Sequence, residues 1–362
     1  MSVSAADPNV SASAADPNVS VSAGNPNMPD LDRLVSWMSA NVPGFRGPAT
    51  VTPLAGGQSN PTFRIAAPSG HYVLRRKPMG DLLQSAHMVE REFKVIGALA
   101  GTGVPVPRVH ALCEDAAVIG STFYVMDFVP GRVFMDPRLP GLSAHERAAI
   151  FDSMNETIAR LHKVDPAAVG LSDFGRPANY IQRQFARWSK QYRLSETEVI
   201  PAMDHLMTWL PDRLPEGGEV RIVHGDLRLD NMMIHPTEPR VVAVLDWELS
   251  TLGDPLSDFA NNTLSWWLEP DVFRGLAGVD LSALGIPPST AYVAAYNARM
   301  SRTEAGSLDV YVVFNLFRLA AIVQGIAKRS MDGTASDPAA AALGRMARPI
   351  AETGWRLAEG LH

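Results

Sequence analysis

Residues 221–258, RIVHGDLRLDNMMIHPTEPRVVAVLDWELSTLGDPLSD, place two acidic side chains and an amide at the ends of short apolar runs. Asp226 follows RIV, Asn231 lies five residues beyond it, and Asp246 follows VVAVL. Mg²⁺ prefers a few carboxylate or amide oxygens together with phosphate and water, which Asn231 and Asp246 can supply. Phosphoryl transfer needs such a metal and a carboxylate that orients the attacking hydroxyl. The stretch therefore predicts phosphoryl-transfer chemistry.

The spacing within this stretch is more informative than any single residue. HGDLRLDN separates its Asp from its Asn as the protein-kinase catalytic loop does, and fourteen residues then separate Asn231 from Asp246. Asp226 alone can equally be a turn residue after a strand. With Asn231 and Asp246 present, the interpretation as base and metal ligands is favoured.

The composition limits the class of protein. The chain has 362 residues, of which 46% are hydrophobic and 19% charged, as in ordinary soluble globular proteins. A net charge of −6 argues against a nucleic-acid partner. The single cysteine, Cys113, cannot form an internal disulfide, and the N-terminus lacks a secretory pattern, so a cytoplasmic location is expected.

The most apolar segment, VYVVFNLFRLAAIVQGIAKR at 310–329, is interrupted by Asn315, Arg318 and Gln324. It is predicted to be a buried core helix rather than a membrane span, so no membrane partner is expected. A buried cation needs a partner. For Arg318, that partner is either an acidic side chain or an anionic substrate.

The N-terminal residues repeat with a period of nine: SAADPNV at 4–10 and 13–19, then SAGNPNM at 22–28. Each copy contains proline and almost no large apolar side chain, so the copies cannot bury a core. Residues 1–28 are predicted to form a disordered tail.

Residues 29–129 are predicted to form a small lobe with a five-stranded antiparallel sheet. LDRLVSWMSANV at 31–42 has helical apolar spacing, with Asp30 as cap, and a second helix is predicted at 85–100, capped by Ser85. A single helix among five strands favours antiparallel pairing. The strands are predicted within ATVTPLAGGQSNPTFRIAA (two strands joined by a glycine turn), HYVLRR, VPRVHAL and STFYVMDFV.

Residues 130–362 are predicted to form a larger, mainly helical lobe. A long helix starts at Ser143, where Glu146 three residues later completes a capping box, and further helices are predicted over 178–211 and 290–359. The fold class predicted is therefore α+β with two lobes.

The motifs MDFVPGR and LDWELSTLGDPLSDFA, with HGDLRLDN, identify a family resemblance. The chain resembles the aminoglycoside phosphotransferase and choline-kinase group of small-molecule kinases, which share the bilobal protein-kinase fold. It is most similar to the kinase-like domains fused to acyl-CoA dehydrogenases and to their stand-alone bacterial relatives. The resemblance covers about residues 45 to 335.

The resemblance implies roles in the catalytic stretch. Asp226 would be the catalytic base, and Asn231 and Asp246 would hold Mg²⁺. His224 would support the loop, and Asp258 would hold it through backbone hydrogen bonds.

The resemblance also implies a nucleotide site. Arg75 would grip the phosphates, paired with Glu92 on the following helix. Period-two alternation puts Val73 and Arg75 on one face of their strand and Arg76 on the other, although a one-residue slip would reverse this assignment. The remaining implied nucleotide residues are Gly56, Gly57, Ser59 and Asn60 over the phosphates, and the backbone carbonyl of Asp127 and amide of Val129 at the adenine edge.

The predicted function is an ATP- and Mg²⁺-dependent kinase, with GTP as an alternative donor, that phosphorylates a hydroxyl on a small molecule. The lobe after residue 262 lacks a dense acidic cluster, which argues against polycationic aminoglycosides and leaves hydroxyacyl or hydroxy-acid acceptors. The alternative is a catalytically silent scaffold that binds a nucleotide or an acyl ligand. The short glycine loop and the arginine at position 75 support this alternative.

Overall fold

The computed structural model describes residues 28–54, 60–79, 88–176, 178–302, 308–333 and 340–361. The predicted tail up to residue 27, the glycine stretch 55–59 and Ser85 lie outside these ranges. By its contacts the described chain forms two compact units. The sheet unit comprises the described residues within 28–132 and 233–250, and the helical unit comprises those within 133–232 and 251–361.

The helices and strands follow one another in a β-rich series and then a mainly helical one. In chain order they are α1 (Leu31–Asn41), β1 (Thr50–Pro53), β2 (Thr62–Ala67), β3 (Gly70–Arg76), α2 (Val89–Leu99), β4 (Val109–Cys113), α3 (Ala116–Ile119), β5 (Phe123–Asp127), α4 (Ala144–Lys163), α5 (Tyr180–Ser195), α6 (Pro201–Trp209), β6 (Arg221–Val223), β7 (Met232–Ile234), β8 (Val241–Val244), β9 (Thr251–Gly253), α7 (Pro255–Asn262), α8 (Leu281–Leu284), α9 (Ser289–Arg299), α10 (Asp309–Met331), α11 (Ala340–Gly344) and α12 (Ala347–Glu359).

The sheet unit contains the five-stranded antiparallel sheet that the sequence predicts, in the order β1-β2-β3-β5-β4. Its apolar face includes Ile65, Leu74 and Val125, each fully buried in a core cluster shared with α1. The side chain of Asp30 caps α1 by accepting a hydrogen bond from the Arg33 amide at 3.1 Å. The start of α2 differs from the prediction: within the described residues the helix begins at Val89.

The segment 233–250 belongs by its contacts to the sheet unit, whereas the sequence assigned it to the lobe 130–362. Arg132 and Ile234 exchange two backbone hydrogen bonds of 2.7 and 2.8 Å, and the amide of Val244 donates to the carbonyl of Pro105 at 2.8 Å. Short apolar runs show that strands form but not which neighbours they pair with. The sequence therefore could not show that residues 233–250 pack with the sheet unit.

The helical unit contains the long helix predicted after Ser143. The complete capping box is present, with Ser143 and Glu146 each accepting from the other's backbone amide. The helical region predicted at 178–211 is two helices, α5 and α6, because the chain is extended at Ile200 and Pro201 starts a new first turn.

Helix α10 is the predicted apolar core helix. The helix is long and apolar enough to cross a membrane, but 67% of its most apolar 18-residue stretch is buried inside the protein. Fully or nearly fully buried side chains such as Val313, Phe317 and Val323 face other helices, as expected of a core helix in a globular unit.

Candidate active site

A buried carboxylate, that of Asp258, holds the backbone of the loop that follows β6. Asp258, in the first turn of α7, accepts a hydrogen bond from the backbone amide of His224 at 2.7 Å and one from the amide of Gly225 at 2.9 Å. The ring of His224 accepts from the amide of Asp226 at 3.2 Å. These contacts are those that the sequence resemblance implies for His224 and Asp258, and they fix the backbone beside Asp226.

Asp258 is itself anchored by a histidine that the sequence did not single out. His162 lies with Nε2 3.3 Å from Asp258 and Nδ1 2.7 Å from the hydroxyl of Tyr296. Burial alone would raise the pKa of Asp258, but the hydrogen bond and charge of His162 and the amide of His224 lower it below its usual range. Asp258 therefore stays ionised and keeps accepting from the loop.

Asp226 lies on this loop, in contact with its motif partner Asn231 and with Arg228. The amide nitrogen of Asn231 donates to the backbone carbonyl of Asp226 at 2.8 Å and to its carboxylate at 3.1 Å. Arg228 contacts the same carboxylate at 3.0 and 3.1 Å. Burial would raise the pKa of Asp226, but Arg228, Arg318 and His224, with the Asn231 hydrogen bond, lower it.

A carboxylate with a lowered pKa is ionised at neutral pH and is a hydrogen-bond acceptor only. It is also a weak base, so Asp226 is suited to orienting a hydroxyl rather than to removing its proton early. Because the amide nitrogen of Asn231 is used by Asp226, the oxygen of Asn231 is the group left for a cation.

Asp226 lines a cavity within the helical unit. The apolar part of its wall includes Phe151, Met154, Leu264, Trp266, Phe273 and Ile322. The charged groups are Asp226, Asp230, Arg228, Arg274 and Arg318. Three guanidinium groups against two carboxylates give this cavity an excess of positive charge.

The wall of the cavity includes a strained turn. Phe273 and Arg274 have φ of 51° and 61°, which non-glycine residues rarely adopt, and a side chain at Gly275 would lie 1.7 Å from the carbonyl oxygen of Leu268. Arg274 pairs with Asp230 at 2.7 Å. Strained backbone of this kind persists where the surroundings over-determine it, commonly at functional sites.

In the sheet unit, Arg75 lies among carboxylates. Its Nε is 3.0 Å from Glu92 and its Nη2 is 2.6 Å from Asp246. Burial would lower the pKa of Arg75, but Glu92 and Asp246 raise it, so the side chain remains a cation. Arg76 points to the other face, where it is 1% exposed and donates to the carbonyl of Ile119 at 3.3 Å.

Glu92 is buried and fully hydrogen-bonded. Asn60 donates to one of its oxygens at 3.0 Å, and Tyr124 donates to the other at 3.1 Å. Burial is the main cause that raises the pKa of Glu92 to about 7, against the opposing effect of Arg75.

Asp246 follows β8 and has a φ of 65°, in the left-handed region. Two residues later, Glu248 lies 3.8 Å from Arg75 and 3.4 Å from Asn60. The sequence reasoning missed Glu248, because a carboxylate in a short turn carries no signal of what it faces. Asp246 keeps its predicted place after the strand.

The remaining predicted nucleotide residues are only partly described. Asn60 is buried beside Glu92, whereas Gly56, Gly57 and Ser59 lie outside the described residues. Asp127 is the last residue of β5, and Val129 lies two residues beyond it. Their adenine-binding role stays a prediction.

The described ranges contain no group of three or more His, Cys, Asp or Glu side chains that could hold a metal. A metal bound mainly by phosphate and water needs fewer protein ligands. The oxygen donors of Asn231 and Asp246 are of the kind Mg²⁺ accepts. Each of these donors, taken by itself, therefore fits this cation.

The fold, the group of residues around Asp226 and the group around Arg75 are together those of a kinase-like phosphotransferase. A family model described as "Phosphotransferase enzyme family" matches residues 50–296, which is more than half of the chain. The chain belongs to this family. The α+β kinase-like fold class and the family predicted from the motifs are thereby confirmed.

The chain is similar to the mouse protein acyl-CoA dehydrogenase family member 10, with 46% identity over 314 residues, 86% of this chain and 29% of the mouse protein. The chain thus spans less than half the length of such curated relatives. A crystal structure from Ralstonia eutropha JMP134, provisionally assigned as an aminoglycoside phosphotransferase, is 52% identical with a TM-score of 0.85, covering 92% of this chain and 99% of its own.

A thermostable mutant of an aminoglycoside phosphotransferase, in a ternary complex with ADP and hygromycin B, is 16% identical. It covers 90% of this chain and 98% of its own, with a TM-score of 0.58. At this identity the similarity shows the shared fold alone.

Proposed function

We propose that the chain transfers the γ-phosphoryl group of ATP, with Mg²⁺, to a hydroxyl of a small acceptor that also carries an acyl group, such as a hydroxy acid or a hydroxyacyl compound. The observation that carries this proposal is the ionised Asp226 in the wall of a cavity, with its backbone fixed by Asp258. A positioned carboxylate beside a site for an acceptor is what in-line transfer to a hydroxyl requires.

The sheet unit supplies the groups for the nucleotide. Arg75 offers a permanent cation to phosphate oxygens, and Glu92 holds it in place. Membership of the phosphotransferase family supports a nucleoside-triphosphate donor, and GTP is a second candidate. Asn231 and Asp246 are the proposed Mg²⁺ ligands, and the ion, when bound, neutralises charge on the phosphates.

The acceptor class follows from the charges in the cavity. Arg228, Arg274 and Arg318 outnumber Asp226 and Asp230, so a polycation finds an unfavourable site. The similarity to parts of proteins named acyl-CoA dehydrogenases supports an acyl-bearing acceptor. The apolar wall suits a hydrocarbon chain.

The test is an ATP-consumption screen with Mg²⁺ on the full chain, using hydroxy acids, hydroxyacyl-CoA thioesters, choline and aminoglycosides as acceptors. Asp226→Asn keeps the shape of the side chain but removes its charge, so turnover should fall about 10²-fold or more. The exposed Asp212→Asn is the matched control and should keep full turnover.

Full activity in Asp226→Asn on an accepted substrate would refute the proposed role of Asp226. Binding of MgATP with no product from any acceptor would instead favour the catalytically silent scaffold. Direct product detection by mass spectrometry separates transfer from ATP hydrolysis.

A further inference from the structure

One side chain in the cavity beside Asp226 has an unused hydrogen-bond donor. Asn261, in the last turn of α7, is only 8% exposed and lines the cavity, and its amide nitrogen finds no hydrogen-bond partner within the described part of the chain. A buried donor left unpaired is costly to the folded state. A ligand atom that accepts a hydrogen bond would satisfy it.

The neighbouring residue shows that this is not a general property of the helix. Asn262 donates to the carbonyl of Leu227 at 3.1 Å and accepts from the hydroxyl of Tyr292 at 2.8 Å. Both ends of its amide are therefore used within the protein. Asn261 and Asn262 are adjacent amides of which one is satisfied internally and the other is not.

The guanidinium of Arg318 is a second group in the wall of the same cavity. Arg318 of α10 donates to the carbonyl of Gly225 and, at 3.5 Å, to the side-chain oxygen of Asn315, and it lies 5.8 Å from the ring of Trp188. Among the described residues no carboxylate forms an ion pair with Arg318, whereas Arg228 and Arg274 each contact an aspartate. A guanidinium has five N–H donors, so donors remain for a ligand.

We propose that Asn261 and Arg318 together bind the acyl oxygen of the acceptor and so select acceptors that carry a carboxylate or carbonyl near the reacting hydroxyl. The inference rests on the proposed function, since it assigns the acceptor site of that reaction. The groups left unpaired on these two side chains are N–H donors, from the amide nitrogen of Asn261 and the guanidinium of Arg318. The two aspartates of the cavity are already bonded to arginine or asparagine. An acceptor oxygen of negative or partly negative charge is therefore the matching group, and an amine is not.

The sequence left two partners open for Arg318, an acidic side chain or an anionic substrate. The proposal selects the substrate. It also names the second donor, Asn261, which carries no signal in the sequence. A carboxylate and a thioester carbonyl share the required acceptor oxygen, and only an experiment with both can separate them.

The experiment measures binding by isothermal titration calorimetry on the full chain, with MgADP present. The probes are 3-, 4- and 5-hydroxyoctanoate, the diols 1,3-, 1,4- and 1,5-octanediol, and the CoA thioesters of the same hydroxy acids. Each diol differs from its acid only at the first carbon. The wild-type protein should bind at least one acid or thioester about 10-fold or more tightly than the matching diol.

Two variants test the named residues. Asn261→Leu replaces the amide with an apolar group of similar shape, and it should lower the preference for the acyl compound over its diol about 10-fold. Arg318→Met should do the same, and Arg318→Lys should restore part of the preference because it keeps the charge. Arg329→Met, at an exposed position of the same helix that does not line the cavity, is the matched control and should leave the preference unchanged.

A measurement of stability separates recognition from a structural role. Because Asn261→Leu removes an unpaired buried donor, its thermal midpoint should equal or exceed that of the wild type. A marked fall in the midpoint, with the acyl preference intact, would overturn the proposal. So would equal binding of acids, thioesters and diols by the wild type.

The two proposals can fail separately. Acyl-selective binding that depends on Asn261, without any phosphoryl transfer, would refute the kinase and keep the acyl-oxygen site. Transfer with no preference for an acyl oxygen would keep the kinase and refute the site. Tighter binding of the thioester than of the free acid identifies a carbonyl as the ligand, and the reverse identifies a carboxylate.

Discussion

Glu92 is an acid on which burial and a neighbouring cation act in opposite directions. Burial dominates, and the pKa rises to about 7 although Arg75 lies 3.0 Å away. The side chain is 1% exposed, so solvent screens this balance little. The protonation of Glu92 therefore changes in the neutral pH range, next to the cation proposed to hold phosphate.

Glu92→Gln is predicted to flatten the dependence of stability on pH. The pKa of Glu92 is higher in the folded state than its ordinary value of 4.5, so between about pH 4.5 and 7 the folded protein holds a proton that the unfolded chain releases. Stability from this group is therefore lost as pH rises through that window. Urea unfolding at pH 5 and pH 8 should show a loss of roughly 1–3 kcal/mol in the wild type that the variant lacks.

Glu90→Gln on the same helix is the matched control for the loss of a carboxylate. An equal pH dependence in the wild type and in Glu92→Gln would contradict the raised pKa. Activity measured over the same pH range should show whether the charge on Glu92 matters for holding Arg75.

At the residue scale, spacing and alternation were sufficient to place several site residues. The interval from Asp226 to Asn231 brings their side chains into hydrogen-bond contact, and period-two alternation put Arg75 and Arg76 on opposite faces. The pairing of Arg75 with Glu92 was implied by the family resemblance. Asn261 could not be found in this way. Whether the amide nitrogen of Asn261 finds a hydrogen-bond partner depends on residues far away in the chain. No local sequence pattern shows that such a partner is missing.

Helix α4 contributes residues to the site from its middle and from its last turn. Phe151 and Met154 lie in the cavity wall, and His162, in its last turn, holds Asp258. These residues occur at helical spacing, so one face of the helix supports both the acceptor cavity and the catalytic loop. The helix begins at the Ser143 capping box.

Ser143→Ala is predicted to lower the free energy of unfolding by about 1 kcal/mol, because amides in the first turn lose their side-chain partner. Turnover should be unaffected, since the cap lies at the far end from His162. Ser39→Ala in α1, where the hydroxyl only bonds back to the carbonyl of Val35, is the control. Chemical denaturation of both variants tests this, and an equal small effect at the two serines would show that the cap contributes nothing special.

Helices whose first residues carry capping side chains could be predicted from the sequence. Strands that form by pairing with segments far away in the chain could not. The helices beginning at Leu31 and Ala144 carry capping residues that the sequence shows directly. Strand β9 was missed because Thr251–Gly253 is three residues long and is ordered by pairing with β6. That residues 233–250 belong to the sheet unit likewise depends on contacts with residues distant in the sequence.

For the whole molecule, MgATP is predicted to raise the thermal midpoint more than ATP or Mg²⁺ alone. A ligand that binds only the folded state stabilises it by about 2.7 kcal/mol at a concentration 100 times its Kd. Asp246→Asn should abolish the Mg²⁺-dependent part of this increase. The change is well matched, because asparagine tolerates the left-handed backbone seen at Asp246 and only the charge is lost.

Thermal shifts with ATP and GTP in parallel measure the donor preference, with Asp212→Asn as control. An increase with MgATP that is identical in Asp246→Asn and in the wild type would remove Asp246 from the metal site. It would leave Asn231 to be tested in the same way.

Helix α10 begins at Asp309, beyond the last residue, 296, that the family model matches. Arg318, Leu319 and Ile322 from this helix nevertheless line the cavity beside Asp226. Part of the cavity wall thus lies beyond the stretch that marks the chain as a phosphotransferase, whereas Asn261 lies within that stretch. Substitutions in α10 can therefore reshape the cavity while the catalytic signature stays the same, and homologues with the same signature need not share a substrate.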